Sequence, residues 1–252
     1  MTFENDFETL GFLADLPDER DARKKRFQMH FDTCYSLSHD ATRLARFLLS
    51  ISLPERYQQV AAALWFRCAG AGQGAVLLAE RGMPAEAASL ARSSLESLFW
   101  GAALIQDPNV LQLLKNNDQA SVKKAANGML NYKGVQYSQA DRALLQEKGE
   151  GADVVSTSVL RAAQISDLVY LYESAYRGLS RWGVHAGIAT ASFGVSDGRL
   201  AFAPSDEFIE DILGAVEQGV GKEGLKRFGD FANSLAKSAI DSVAQVSNPS
   251  QQ

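Results

Sequence analysis

The segment 84–106 restricts the fold of this chain more than any other, because it is apolar or small around most of a helical circumference. Its sequence, PAEAASLARSSLESLFWGAALIQ, begins with a proline, which the first turn of a helix tolerates. A helix that is apolar on all sides is buried on all sides. We therefore predict a central helix over 84–106, with the other helices packed around it.

Apolar residues recur at helical spacing along most of the remaining sequence. They predict helices over 18–50, 54–81, 138–148, 159–186, 206–219 and 222–245. Two shorter helices are expected between 107 and 132, separated by the polar run Asn116-Asn117-Asp118. The β signal is an Asp-Gly turn at 197–198 between two apolar segments. The predicted fold class is all-α, a helical bundle with one small β-hairpin insertion near 192–203.

No repeat or linker divides the sequence, so we expect a single helical domain over 18–246. An acidic N-terminal arm over 1–17 precedes this domain, and a disordered tail over 247–252 follows it. The basic run 20–26 has two interpretations, a phosphate contact or a solvated face that balances the acidic arm. Such runs are usually solvated, and we favour the second interpretation.

The composition is that of a globular protein, with 46% hydrophobic and 22% charged residues. A net charge of −5 argues against a protein that coats nucleic acid, although it permits a local basic site. Cys34 and Cys68 are too few for a disulfide framework. The first nineteen residues carry six acids and no base, unlike a secretory signal, and the apolar runs are shorter than the ~20 residues of a membrane span. We expect a cytoplasmic protein with no membrane partner.

Beyond its first turn, the apolar segment 84–106 is interrupted by two charged residues. Arg92 and Glu96 stand four positions apart and share a helical face. Charges on a central helix need partners, because a lone buried charge is costly. The pair therefore predicts either a polar cleft beside this helix or a structural ion pair between helices.

A second polar group follows in the segment 171–187. Arg177, Arg181 and His185 recur at four-residue steps and form one stripe, which Tyr176 and Ser180 flank. Arginine offers a bidentate fork for phosphate oxygens, and histidine exchanges a proton near neutral pH. The stripe is therefore a candidate phosphate site. The alternative is an exposed basic stripe in which His185 bonds to a neighbouring carboxylate or carbonyl.

These two segments resemble a large uncharacterised bacterial family of helical proteins, a domain of unknown function. The resemblance lies in AVLLAERGMPAEAASLARSSLES (75–97) and YRGLSRWGVH (176–185). The key positions that it implies are Gly82, Ala87, Arg92, Glu96, Ser180 and His185. It names no activity.

A looser similarity is to HEPN-type helical ribonucleases of toxin and defence systems, in which four to six residues separate an Arg from a His. Here three residues separate Arg181 from His185, and seven separate Arg177 from it, so both spacings depart from that pattern. Arg181 and His185 would nevertheless share a helical face.

Two hypotheses follow for a candidate site composed of Arg92, Glu96, Ser180, Arg181 and His185, with Arg177 and Tyr176 as binding residues. In the first, these residues form a buried, hydrogen-bonded latch in a non-catalytic module that binds an unknown protein or small ligand. In the second, the protein is a metal-independent ribonuclease or phosphate-handling enzyme, in which His185 acts as general acid or base and the arginines stabilise phosphate charge. RNA is then the expected partner.

The sequence contains none of the common metal or nucleotide signatures. It lacks CxxC, HExxH, a GxSxG elbow and the GxxxxGK[ST] loop. We therefore predict no metal and no cofactor. A homodimer is compatible with either hypothesis.

Overall fold

The structure is a computed structural model that describes residues 6–150, 155–183, 195–196, 199–200 and 203–246. Its fold is all-α, which confirms the predicted class. A 3₁₀ turn, Gly11–Leu13, follows the first helix. The described helices, in chain order, are α1 (Phe7–Leu10), α2 (Pro17–Arg26), α3 (Gln28–Ser50), α4 (Arg56–Glu80), α5 (Pro84–Gln106), α6 (Val110–Asn131), α7 (Gln139–Gly149), α8 (Val159–Ile165), α9 (Val169–Leu171), α10 (Arg177–Gly183), α11 (Ile209–Val216) and α12 (Leu225–Val246).

The predicted central helix over 84–106 is confirmed as α5. Pro84 occupies its first turn, and Gly82 ends the preceding helix in the left-handed region, with φ 68°. The Met83 N–H bonds to the Leu78 carbonyl at 3.0 Å, the hydrogen bond that closes a helix when a left-handed residue follows it. This turn folds α5 back along α4.

The hydrophobic core surrounds α5, which packs against α4, α8, α10 and α11. Its largest fully buried side chains come from several helices and include Trp65, Phe31, Phe99, Phe228, Leu48 and Leu95. Alanines of α4 and α5 fill much of the space between these two helices, which allows their backbones to approach closely.

Helix α4 begins at Arg56, two residues later than Pro54, where we predicted its start. The reason is a capping box, in which Glu55 and Gln58 each bond to the other's backbone N–H. Helix α4 is long enough and apolar enough to cross a membrane. In the structure, 44% of its apolar stretch of 18 residues is buried inside the protein. The helix packs against α5 and α3, as a core helix does.

Two predicted helices are interrupted in the structure. The helix expected over 18–50 is divided into α2 and α3 at Phe27, which has φ −110° and ψ 32°. The helix expected over 159–186 is interrupted after α8. There Asp167 adopts a left-handed φ of 54°, and the Leu168 N–H bonds to the Ala163 carbonyl. Neither position is a glycine or proline, so the usual sequence signal for a helix end is missing.

Two predicted breaks are instead continuous helix. Helix α6 includes Asn116 and Asn117. The side-chain amide of Asn117 donates to the Thr157 carbonyl at 3.0 Å, so it does not compete for the backbone hydrogen bonds of its own helix. The break predicted between 219 and 222 is a π-helical segment, Glu217–Gly224, that joins α11 to α12. A second π-helical segment, Tyr172–Tyr176, joins α9 to α10.

The predicted hairpin insertion near 192–203 is represented by two short strands, β1 (Val195–Ser196) and β2 (Arg199–Leu200), which pair antiparallel. Two residues in each strand are too few to establish a hairpin insertion. The remaining residues of that span, apart from 203, lie outside the described part of the chain.

The basic run 20–26 is not the fully solvated face that we favoured. Arg23 is only 7% exposed, and its Nε donates to Asp206 Oδ1 at 2.6 Å. One of its terminal nitrogens donates to the Glu80 carbonyl at 2.8 Å. Arg23 therefore places a positive charge at the carboxyl end of α4, where the helix dipole favours a cation.

Candidate functional site

The two polar segments identified in the sequence lie against each other, because α10 packs on α5. Gly183 makes this approach possible. A Cβ at Gly183 would lie 2.5 Å from the Ser89 backbone nitrogen, so any larger residue would meet the backbone of α5. The Ser89 hydroxyl donates to the Gly183 carbonyl at the same contact.

Arg92 is the centre of a polar cluster between these helices, with each guanidinium nitrogen bonded to a different side chain. Its Nε donates to Ser180 Oγ at 3.0 Å, and one terminal nitrogen donates to the Tyr176 hydroxyl at 2.6 Å. The other lies 3.1 Å from Glu96 Oε2. We call Arg92, Glu96, Tyr176 and Ser180 the Arg92 cluster.

The remaining hydrogen bonds close the Arg92 cluster on itself. The Tyr176 hydroxyl donates to Glu96 Oε2 at 3.2 Å, and the Ser180 hydroxyl donates to the Tyr176 carbonyl at 2.7 Å. Each of the four side chains thus bonds within the group. Charge-assisted bonds of this kind are about twice as strong as neutral ones.

The Tyr176 ring is packed on several sides. It is 5% exposed and stacks on Tyr172, with 5.0 Å between ring centroids, while Phe99 meets it edge-on. Arg92 Cζ lies 4.7 Å from its centroid, within the range of a cation–π contact. The two tyrosines are the first and last residues of the π-helical segment. π-Helical turns are often found at functional sites.

Burial, reinforced by the negative charge of Glu96, raises the pKa of Tyr176 despite the opposing charge of Arg92. The phenol therefore stays protonated and donates its hydrogen bond near neutral pH. It is neither a nucleophile nor a base under these conditions. The side chain of Arg92 is 24% exposed and that of Glu96 36%, so the cluster is half-buried rather than buried as expected.

The other predicted site residues lie elsewhere or outside the described chain. Arg177 is exposed and pairs at 2.8 Å with Glu173 of the preceding π-helical segment. Arg181 is also exposed. His185 lies outside the described residues.

Sequence reasoning missed two contacts. The Ser89–Gly183 approach has a weak signal, since Gly183 is a small residue three positions after Ser180 and therefore lies on the same side of the helix. His30 Nδ1 lies 2.8 Å from Glu217 Oε1, a contact between α3 and the second π-helical segment that no spacing indicates. Among the residues that the structure describes, no group of three or more His, Cys, Asp or Glu side chains is placed to hold a metal ion.

A protein-family model of a family of unknown function, DUF5677, matches residues 58–199, more than half of the 252-residue chain. The chain belongs to this family. The match confirms the resemblance to an uncharacterised family, and it includes all four residues of the Arg92 cluster. It does not include Arg23, Asp206 or His30. No curated protein and no solved structure matches the chain significantly.

Proposed function

We propose that this DUF5677 protein is a non-catalytic binding module of the cytoplasm, in which the Arg92 cluster is a latch that fixes α10 on α5. One observation carries the proposal. The three guanidinium nitrogens of Arg92 face Ser180, Glu96 and Tyr176, so three of its five N–H donors are directed at groups within the protein and its charge is paired with a carboxylate.

The ionisation of the cluster supports the same conclusion. A general acid or base works best with a pKa near the working pH. Tyr176 has its pKa raised away from that range, first by burial and then by the negative charge of Glu96. Ser180 donates to a backbone carbonyl and accepts from Arg92, an arrangement that holds a helix rather than one that activates a nucleophile.

The alternative is metal-independent cleavage of RNA. It is favoured by the exposure of Arg177 and Arg181, which stand one turn apart on α10 and are accessible to phosphate. In that hypothesis His185 supplies the proton transfer, and the Arg92 cluster only positions α10.

A cleavage assay combined with a stability assay separates these functions. Purified protein is incubated with single-stranded RNA in the presence of EDTA, and His185→Ala is compared with His39→Ala, which alters an exposed histidine on α3. We expect no cleavage by the wild-type protein. Cleavage that His185→Ala abolishes and His39→Ala preserves would refute the binding proposal and establish the alternative.

Thermal unfolding of a further variant tests the latch. We expect Glu96→Ala to lower the melting temperature by several degrees, since about 1 kcal/mol corresponds to about 2–4 °C for a chain of this size. A melting temperature that does not change would contradict the latch, whatever the result with RNA.

A further inference from the structure

An apolar cavity of about 250 Å³ lies between α3 and α4, with its floor at the junction of α11 and the second π-helical segment. Residues three, four and seven positions apart share a helical face. At this spacing the two helices present uncharged side chains to the cavity, most of them small: Cys34, Ser38 and Ala41 on α3, and Ala69, Gln73 and Val76 on α4.

The floor of the cavity is held in place by close packing. A Cβ at Gly72 would lie 2.8 Å from Val220 Cγ2, so Val220 rests directly on the backbone of α4. A Cβ at Gly221 would lie 2.5 Å from Leu37 Cδ1, which fixes the π-helical segment against α3 in the same way. Val220 and Leu37 both line the cavity. The space is therefore preformed and needs no rearrangement of these helices.

The chemistry of the lining limits the charge of a ligand. None of the described residues that line the cavity is charged. A charged group placed there would lose its hydration without gaining a partner, which is costly. A ligand for this cavity is therefore neutral.

Polar side chains lie at one side of the cavity. Gln73 Nε2 donates to Ser38 Oγ at 2.9 Å, and both side chains are only half-buried. Tyr35 and Leu77 are 42% and 58% exposed, which places the opening of the cavity beside them. A hydrogen-bonding group on a ligand can therefore meet Ser38 and Gln73 while its apolar part occupies the interior.

We propose that this cavity binds a small neutral molecule with an apolar body and one hydrogen-bonding end. An apolar cavity of about 150 Å³ accommodates benzene, so the volume here suits about ten non-hydrogen atoms. This inference goes beyond the proposed function, because the cavity shares no residue with the Arg92 cluster.

Calorimetric titration of the full-length protein with indole, octan-1-ol and octanoate tests the proposal. Octanoate matches octan-1-ol in chain length but is charged. Ala69→Leu fills the cavity, and Ala63→Leu is its matched control, since Ala63 is exposed on the same helix. Ser38→Leu narrows the cavity from a half-buried position and replaces Ala69→Leu if that variant does not fold.

We expect saturable binding of a neutral probe at one site per chain, about tenfold weaker binding of octanoate, and a loss of about tenfold or more in the cavity variants. Ala63→Leu should bind as the wild type does. The proposal is overturned if neither neutral probe binds saturably, if the cavity variants bind as well as Ala63→Leu, or if octanoate binds as tightly as octan-1-ol. Failure of these titrations leaves the latch untouched, because the latch is tested by stability.

Discussion

A terminal nitrogen of Arg92 lies 2.6 Å from the Tyr176 hydroxyl, a contact between residues 84 positions apart in the sequence. The same hydroxyl donates a hydrogen bond to Glu96, which also pairs with Arg92. Because these contacts are shared, removing one member leaves at least one hydrogen-bonding group of another member without its partner. The cost of leaving such groups unsatisfied usually exceeds the net value of the bond itself.

The first prediction concerns the Tyr176 hydroxyl. Tyr176→Phe keeps the stacked ring but removes the acceptor for Arg92 and the donor to Glu96. We expect the free energy of unfolding in urea to fall by about 1–2 kcal/mol. Tyr132→Phe makes the same change at an exposed ring and should be neutral. Equal effects of the two substitutions would mean that the Tyr176 hydroxyl contributes nothing to the free energy of unfolding.

The second prediction uses two glycines of α10 that should respond in opposite directions. A Cβ at Gly183 would meet the backbone of Ser89, so Gly183→Ala should push α10 away from α5 and destabilise the protein by about 1–3 kcal/mol. A Cβ at Gly178 would lie 3.8 Å from Trp182, an ordinary contact. Gly178→Ala should therefore stabilise by about 0.5–1 kcal/mol through helix propensity. Thermal unfolding of both variants checks the signs, and a stable Gly183→Ala would show that α10 is free to shift.

The third prediction compares two arginines that bind the same carboxylate. Arg23 and Arg26 donate to different oxygens of Asp206, but only Arg23 is buried and also bonds to the Glu80 carbonyl. Arg23→Leu should cost about 3 kcal/mol or more, because it leaves buried polar groups without partners. Arg26→Leu should cost less than about 1 kcal/mol, as exposed pairs do. Similar losses in urea unfolding would indicate that Arg23 is solvated in solution.

The fourth prediction concerns alkaline pH. Burial raises the pKa of Cys68 from 9.0 to about 12, against an opposing hydrogen bond with Ser94. Above pH 9 the unfolded chain loses this proton while the folded chain keeps it, so stability falls as the pH rises toward the folded pKa. For this thiol the loss between pH 8 and 10 is about 1 kcal/mol.

Urea unfolding at both pH values measures this loss. Cys68→Ala should lose less stability than the wild type over the interval. The stability of Cys68→Ala should still depend on pH, because burial also raises the pKa of Cys34 to about 12. An unchanged pH dependence in Cys68→Ala would mean that this thiol ionises equally easily in the folded state.

The sequence predicted those parts of the fold that depend on local chemistry. The bounds of α5 follow from Pro84, from Gly82 and from an uninterrupted apolar run. The start of α7, predicted at 138, follows from Ser138, whose hydroxyl accepts from the Asp141 N–H as an N-cap side chain does. In both cases the residues that decide the structure are neighbours in sequence.

The parts that were not predicted depend on distant partners. The left-handed Asp167 has no local signal, and the π-helical segment at 217–224 depends on how closely α3 and α4 approach its glycines. The same holds for the candidate site. The spacing of Arg92 and Glu96 identified a charged pair on a central helix, but only the packing of α10 shows that Tyr176 and Ser180 complete it.

The most direct test of the latch is a double-mutant cycle between Arg92→Met and Tyr176→Phe, measured by urea unfolding. Both substitutions remove hydrogen bonds without supplying new ones, which the cycle requires. The latch predicts a coupling free energy of about 1 kcal/mol or more between the two residues. Additive effects, within about 0.3 kcal/mol, would contradict it and leave Arg92 available for another role.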